Sequence, residues 1–157
     1  MIFSIEDLRD QQVDQIEGLR KIVLRRGGVL HHVKPHGALY HLAMSDNAVA
    51  EMFADVIIGI DPNIVLVGMA NSALMKAALK HGLSFQQEIF ADRRYTESGL
   101  LVPRNEPNAL ITNVEEGIEQ ISNFIIKHPR DIDTICVHGD NKRSLAFAKA
   151  IYQIVQF

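Results

Sequence analysis

Four short apolar runs separated by amphipathic segments are the feature that most constrains the fold of this chain. The strand-like runs lie at residues 29–34, 64–69, 83–90 and 133–138. Apolar residues at helical spacing predict helices at residues 4–26, 46–58, 71–80, 114–127 and 141–155. Strands that alternate with helices form βαβ units with a parallel sheet, and ligands gather at the carboxyl ends of such strands. The sequence therefore predicts an α/β fold with its functional site at that edge.

Composition excludes several classes of function. The chain has 157 residues and a formal net charge of −3, which argues against a basic nucleic-acid-binding protein. It has a single cysteine, Cys136, so an internal disulfide framework is impossible and a reducing cytoplasm is the expected location. No apolar run approaches the length of a membrane span, so we expect no membrane partner.

The first strand runs into the sequence KPHGALY, which begins at Lys34. Strand alternation places Leu30, His32 and Lys34 on one face, and Pro35 ends the strand. His36 and Gly37 then form the turn into the next helix. An ordinary Pro-Gly turn with a solvated lysine and histidine explains this segment equally well.

The third strand runs into EIFADRRY, which carries five polar candidates. Ser84, Gln86 and Glu88 share one face of this strand, and such polar residues are expected inside a sheet only where they face a cavity or partner. An arginine grips a carboxylate or phosphate with two donors, and an aspartate can orient it or act as a base. The candidates in the loop are Asp92, Arg93, Arg94 and Tyr95. The alternative is a surface cluster whose charges pair with one another.

The fourth strand runs into the sequence HGD at residues 138–140. Thr134, Cys136 and His138 share one face, which places His138 at the tip of the strand. Asp140 is expected to cap the following helix. Lys34, Glu88 and His138 thus lie at the ends of three strands, and strand alternation places all three on the inner face of the predicted sheet. The expected catalytic rim consists of Lys34, His36, Glu88, Asp92 and His138.

Three ordered motifs carry a resemblance to a known family. HVKPHGALY (32–40), FADRRY (90–95) with GLLVPR (99–104), and TICVHGD (134–140) resemble the LamB/YcsF family. The resemblance covers essentially the whole chain and matches the later part of a family member, because acidic and histidine motifs of the DLGE, CGFHAGD and GAHPS kinds are not found here. It implies a single partial domain over residues 1–157, the C-terminal portion of an incomplete seven-stranded β/α barrel of the glycoside hydrolase/deacetylase kind.

The resemblance also implies an activity. Family members are the A-type component of a 5-oxoprolinase, which uses ATP and partner subunits B and C to cleave 5-oxo-L-proline to L-glutamate. Within that reaction the rim residues would be catalytic, and the substrate would be bound by Gly37, Arg93, Arg94, Tyr95, Gly139 and Asp140. A metal held by His36, His138 and Asp140 is left open.

Two other functions remain open at this stage. The chain can be an inactive fragment or interaction subunit that needs a separate N-terminal half or a second copy of itself. It can also be a metal-dependent deacetylase that acts on a small amide, as the related barrels suggest. Dependence on ATP separates the deacetylase from the 5-oxoprolinase.

Overall fold

The structure, a computed structural model, describes residues 4–155, which contain six helices and four strands. The strands are β1 (His32–Val33), β2 (Val65–Met69), β3 (Phe85–Phe90) and β4 (Thr134–Cys136). The helices are α1 (Ile5–Arg25), α2 (Gly37–Ser45), α3 (Asn47–Ile60), α4 (Ala73–Lys80), α5 (Val114–Lys127) and α6 (Ser144–Ile154). None of these helices is long and apolar enough to cross a membrane.

Parallel pairing of the strands confirms the α/β class predicted from the sequence. Strands β1 and β2 pair in parallel, as do β3 and β4, and the order along the sheet is β1-β2-β3-β4. The chain divides into two compact units, residues 1–87 and 88–157, and β3 passes from the first into the second. A single domain and a seven-stranded barrel both remain predictions.

The first unit is organised around α3, which packs against α1, α2 and α4. Its apolar residues are buried around most of the helix surface, as expected for a helix at the centre of a core. The fully buried side chains of this unit include Phe53, Ile57, Ile64, Leu66 and Leu74. Ser4 and Asp7 form a reciprocal capping box that fixes the start of α1 where the sequence predicts it.

The second unit is held by an apolar cluster between its strands and the two helices α5 and α6. Ile89 of β3 and Ile135 of β4 face this cluster, whose buried centre includes Ile121 and Phe147. Strand alternation then turns Glu88 and the tip of β4 toward the opposite face, as the sequence predicts. The register agrees, because Glu88 lies opposite Thr134 and Phe90 lies opposite Cys136.

Several predicted boundaries differ from the structure. Strand β1 is confined to residues 32–33, and an additional helix, α2, follows the turn at Gly37. Asp46 caps α3 by accepting hydrogen bonds from the amides of Ala48 and Val49, so α2 and α3 are separate helices. The segment between β3 and α5 contains isolated bridges between Arg93 and Leu110 and between Tyr95 and Leu101.

A glycine in α5 allows this helix to pack closely against Phe147 of α6 and the chain at the end of β3. A Cβ atom added at Gly117 would collide with Cε1 of Phe147 and would lie 2.7 Å from the carbonyl oxygen of Ala91. Real Cβ atoms do not come this close to other atoms. The helix can therefore pack against the end of β3 only because this position carries no side chain.

We expect Gly117→Ala to lower the free energy of unfolding by about 1–3 kcal/mol, because the added methyl group overpacks the cluster. Gly18→Ala in α1 is the matched control, since a Cβ there meets nothing within 4 Å. The control should raise stability by up to about 1 kcal/mol through helix propensity. Urea denaturation followed by circular dichroism measures the free energy of unfolding of both variants. Equal stability of the two variants would contradict the packing argument.

Candidate active site

The parallel pairing of β3 and β4 brings two chain segments together at one edge of the sheet. The backbone amide of Ala91 donates to the carbonyl oxygen of Cys136 at 3.0 Å, which extends the pairing one residue beyond β3. Asp92 follows Ala91, and His138 lies two residues beyond Cys136. Two of the predicted rim residues are therefore in contact in the structure.

Asp92 and His138 are joined by two hydrogen bonds. Oδ1 of Asp92 lies 2.9 Å from Nδ1 of the His138 ring, and Oδ2 accepts from the His138 backbone amide, also at 2.9 Å. Asp92 is 1% exposed, whereas the side chain of His138 is 28% exposed. A buried carboxylate thus holds both the ring and the backbone of a histidine that reaches solvent.

The protonation of this pair follows from the pKa of Asp92. Burial by itself raises the pKa of a carboxyl group, but the ring and backbone donors of His138 outweigh it and hold the pKa of Asp92 below its ordinary value. The group is then a carboxylate that can only accept hydrogen bonds, so Nδ1 of His138 carries a proton. In the neutral ring, Nε2 is left as the basic nitrogen.

Two further contacts fix the ring and the segment that carries Asp92. The Phe90 ring stacks on His138 with centroids 5.7 Å apart and planes at 19°. Gln120 of α5 donates from Nε2 to the carbonyl oxygens of Phe90 and Arg93, at 2.8 and 3.0 Å. Sequence reasoning missed Gln120, although a polar residue among the apolar positions of an amphipathic helix is a usable signal.

Arg93 is a buried cation adjacent to this pair. It is 3% exposed, and its Nη2 donates to the carbonyl oxygen of Val102 at 2.6 Å. Burial lowers its pKa, and Arg104 adds to the effect, although an arginine keeps its charge under ordinary conditions. The Nε atom is buried and has no hydrogen-bond partner within residues 4–155. A buried donor of this kind is costly unless a ligand or another group accepts from it.

Glu88 lies earlier on the same strand. It is 3% exposed and occupies the sheet face opposite the apolar cluster. Its place opposite Thr134 puts it on the strand pair that ends in Asp92 and His138. Its position on this face agrees with the strand alternation predicted from the sequence. Its catalytic role remains a prediction.

Arg94 and Tyr95 have contacts that fix them structurally. Arg94 forms an ion pair with Glu116 of α5. The hydroxyl of Tyr95 accepts from the backbone amide of Phe90 at 2.8 Å, and its ring packs edge-to-face on Phe124. Burial raises the pKa of Tyr95 far above its ordinary value, so the phenol remains protonated. Substrate binding by these two residues remains a prediction.

The prediction that Asp140 caps the last helix is wrong. Asp140 is exposed and pairs with Arg104, whose Nη2 lies 2.5 Å from its Oδ2. Asn141 instead forms a turn by accepting the Arg143 amide on its side-chain oxygen and the Ser144 amide on its backbone oxygen. The helix α6 therefore begins only at Ser144. Gly139 is exposed in the same turn.

The remaining predicted site residues belong to the first unit. Lys34 is half-buried, while His36 and Gly37 are exposed at the start of α2. His36 is the N-cap residue without a side-chain capping bond, and Gly37 has a φ of +59°, which favours glycine. Whether these residues share a rim with Asp92 and His138 remains a prediction.

Residues 4–155 contain no group of three His, Cys, Asp or Glu side chains arranged to hold a metal ion. Whether His36, His138 and Asp140 hold a metal remains open. Ring nitrogen Nδ1 of His138 is engaged by Asp92, and Asp140 is engaged by Arg104.

Comparison with known proteins identifies relatives over nearly the whole chain. The sequence profile of the LamB/YcsF family matches residues 1–156. The 5-oxoprolinase A subunit of Brevibacillus brevis is 41% identical, over 96% of this chain and 63% of that protein. The 5-oxoprolinase A subunit of Shouchella clausii is 43% identical, over 88% of this chain and 59% of that protein. The chain spans about three fifths of the length of these curated relatives.

A solved structure has the same fold. The crystal structure of the lactam utilization protein from Thermus thermophilus matches with a TM-score of 0.83 and 32% sequence identity. The match covers 98% of this chain and 67% of that one.

We expect Asp92→Asn to change the tautomer of His138. The amide can donate to Nδ1, which would move the ring proton to Nε2 and remove the exposed basic nitrogen. Long-range ¹H–¹⁵N NMR of the histidine rings distinguishes the two tautomers. Asp140→Asn is the matched control, because Asp140 contacts Arg104 rather than the ring. An unchanged tautomer in Asp92→Asn would show that Asp92 does not set the protonation of His138.

We also expect the Asp92–His138 pair to make stability depend on pH. A carboxyl group whose pKa is lower in the folded state stabilises the fold above its unfolded pKa, and this contribution disappears as the pH falls through its folded pKa. The stability difference between the wild type and Asp92→Asn should therefore be largest above about pH 4 and shrink below it. Urea denaturation at a series of pH values tests this, and a constant difference would contradict it.

Proposed function

Because the chain belongs to the LamB/YcsF family, we propose that it is the A-type subunit of a 5-oxoprolinase and takes part in opening a cyclic amide. The observation that carries the proposal is the buried Asp92, which holds the Nδ1 proton of a partly exposed His138. Such a pair leaves an oriented nitrogen that can move a proton to or from a reacting group. The names of the relatives, 5-oxoprolinase A subunits and a lactam utilization protein, agree with this chemistry.

The proposed reaction is difficult because a five-membered lactam is a stabilised amide that water attacks slowly. ATP, as a second substrate, would phosphorylate the amide oxygen, which makes the ring carbon more electrophilic. His138 would then take a proton from the attacking water and return it to the ring nitrogen as the carbon–nitrogen bond breaks, which leaves an acyl phosphate. Asp92 would stabilise the imidazolium that forms in between. A second water would cleave this acyl phosphate to the side-chain carboxylate of glutamate and inorganic phosphate.

The charge of the substrate needs a cation on the protein. Arg93 is buried beside Asp92 and keeps an Nε donor without a partner in the described part of the chain. We therefore assign it to the substrate carboxylate or to the developing phosphoryl charge, where a desolvated cation has a large effect. Lys34 is proposed to act on the same charges, and Glu88 to orient water.

The partners of this protein are proposed from its relatives. Their names describe one lettered component of a larger assembly, so we propose that subunits B and C act with this chain in the ATP-dependent reaction. Activity is therefore best measured in the assembled complex rather than on this chain alone.

Substitution of His138 tests the proposal. In a complex with subunits B and C, His138→Gln should lower ATP-dependent glutamate release from 5-oxoproline by about 10²–10⁴-fold, the usual contribution of a general acid–base. His128→Gln is the matched control, because His128 is exposed at the end of α5 and pairs with Asp131 at 3.7 Å. The control should keep the wild-type rate, and full activity of His138→Gln would refute the assignment.

The same assay tests the residues whose roles are carried by the family resemblance. Lys34→Ala and Glu88→Ala should each lower the rate by about 10²–10³-fold while the circular dichroism spectrum is unchanged. Wild-type turnover by either variant would remove that residue from the catalytic set.

A further inference from the structure

A concave site lies in the second unit, beside the Asp92–His138 pair. It is a cavity of about 350 Å³, within the size range of small-molecule sites. Its lining residues are Asp92, Arg104, Leu110, Thr112, Asp140, Asn141, Lys142 and Arg143. Asp92 both lines this cavity and holds the His138 ring, so a ligand in the cavity would be separated from the imidazole by one carboxylate.

Some of the charged side chains that line the cavity have partners within the described part of the protein, and others do not. Asp92 accepts two hydrogen bonds from His138, and Asp140 pairs with Arg104. Lys142 and Arg143 take part in none of the ion pairs that the structure contains between residues 4 and 155. With the carboxylates of Asp92 and Asp140 set against the cations of Arg104, Lys142 and Arg143, the lining carries one net positive charge, which favours an anionic occupant.

A neutral hydroxyl group and a helix start in the lining suit the same kind of ligand. Thr112 contributes a hydroxyl group, whereas the Asn141 side-chain amide already donates to the carbonyl oxygen of Ile111 at 3.5 Å. The helix α6 starts directly after the cavity-lining turn, and its N-cap residue Arg143 makes no side-chain capping bond. Its first-turn amides add positive potential to that of the two cations.

We propose that this cavity binds a terminal phosphate group as a dianion. A phosphate has several acceptor oxygens and matches the lysine point charge, the forked donors of arginine and the hydroxyl group nearby. A substrate carboxylate carries a single charge and two oxygens, so it makes less use of this lining.

Two sources can supply this phosphate chemistry. One is a phosphorylated cyclic amide, and the other is the end of a nucleotide. The phosphate site is argued from the cavity itself, whereas its use for a phosphorylated amide rests on the proposed function.

Direct binding of inorganic phosphate to the full chain tests the site. Isothermal titration at constant ionic strength gives the affinity, and amide chemical shifts of residues 139–144 locate the binding. The double variant Lys142→Ala/Arg143→Ala should weaken phosphate binding by at least about tenfold, since two charge-assisted contacts are lost. Arg130→Ala/Lys149→Ala removes two charges at exposed positions outside the lining and should bind like the wild type.

The results of these titrations test whether the phosphate site exists and which molecule supplies the phosphate. Equal binding by both double variants, or shifts elsewhere than residues 139–144, would overturn the proposal, as would no binding to the wild type. Tighter phosphate binding in the presence of 5-oxoproline would support the site and assign it to the phosphorylated amide. Tighter binding of ADP than of phosphate, lost in Lys142→Ala/Arg143→Ala, would support the site and assign it to a nucleotide.

This measurement is independent of turnover. If the assembled complex fails to open 5-oxoproline but the chain binds phosphate through Lys142 and Arg143, the proposed function fails and the phosphate site remains. If turnover is present and phosphate binding is not, the phosphate site fails alone.

Discussion

The close approach of α5 to the end of β3 is the constraint on which the second unit depends. Gly117 lets the helix backbone come against the carbonyl of Ala91 and the ring of Phe147, where any side chain would collide. One turn along the helix, Gln120 reaches the carbonyl oxygens of Phe90 and Arg93. The helix thereby fixes the chain on both sides of Asp92, and a fixed carboxylate can in turn orient a histidine.

Burial of the Asp92 carboxylate carries an electrostatic cost, and hydrogen bonds from His138 offset it. Burial alone would favour the protonated carboxyl group, whereas the ring and backbone donors favour the carboxylate. Because both carboxylate oxygens are engaged by a single residue, the backbone and ring of His138 are positioned together. The functional consequence is a partly exposed ring whose orientation is set by a buried carboxylate.

Much of the fold could be predicted from periodicity because the elements are locally well encoded. Helix α5 has the predicted bounds, since Asn113 caps its first turn with a bond to the amide of Glu116 and an apolar stripe faces the core. The start of α6 could not be predicted in the same way. Both Asp140 and Asn141 are good capping residues, and the ion pair of Asp140 with Arg104, distant in sequence, removes it from that role.

The sequence by itself determined the parallel α/β class, the inward parity of Glu88 and His138, and the motifs that carry the family resemblance. These are properties of local periodicity and residue type. Only the tertiary structure decided that Asp92 is the partner of His138, that Gln120 holds the chain on both sides of Asp92, and that Arg104, Lys142 and Arg143 line one cavity. Such pairings join residues far apart in the chain, and they depend on strand register and helix packing, which no local pattern specifies.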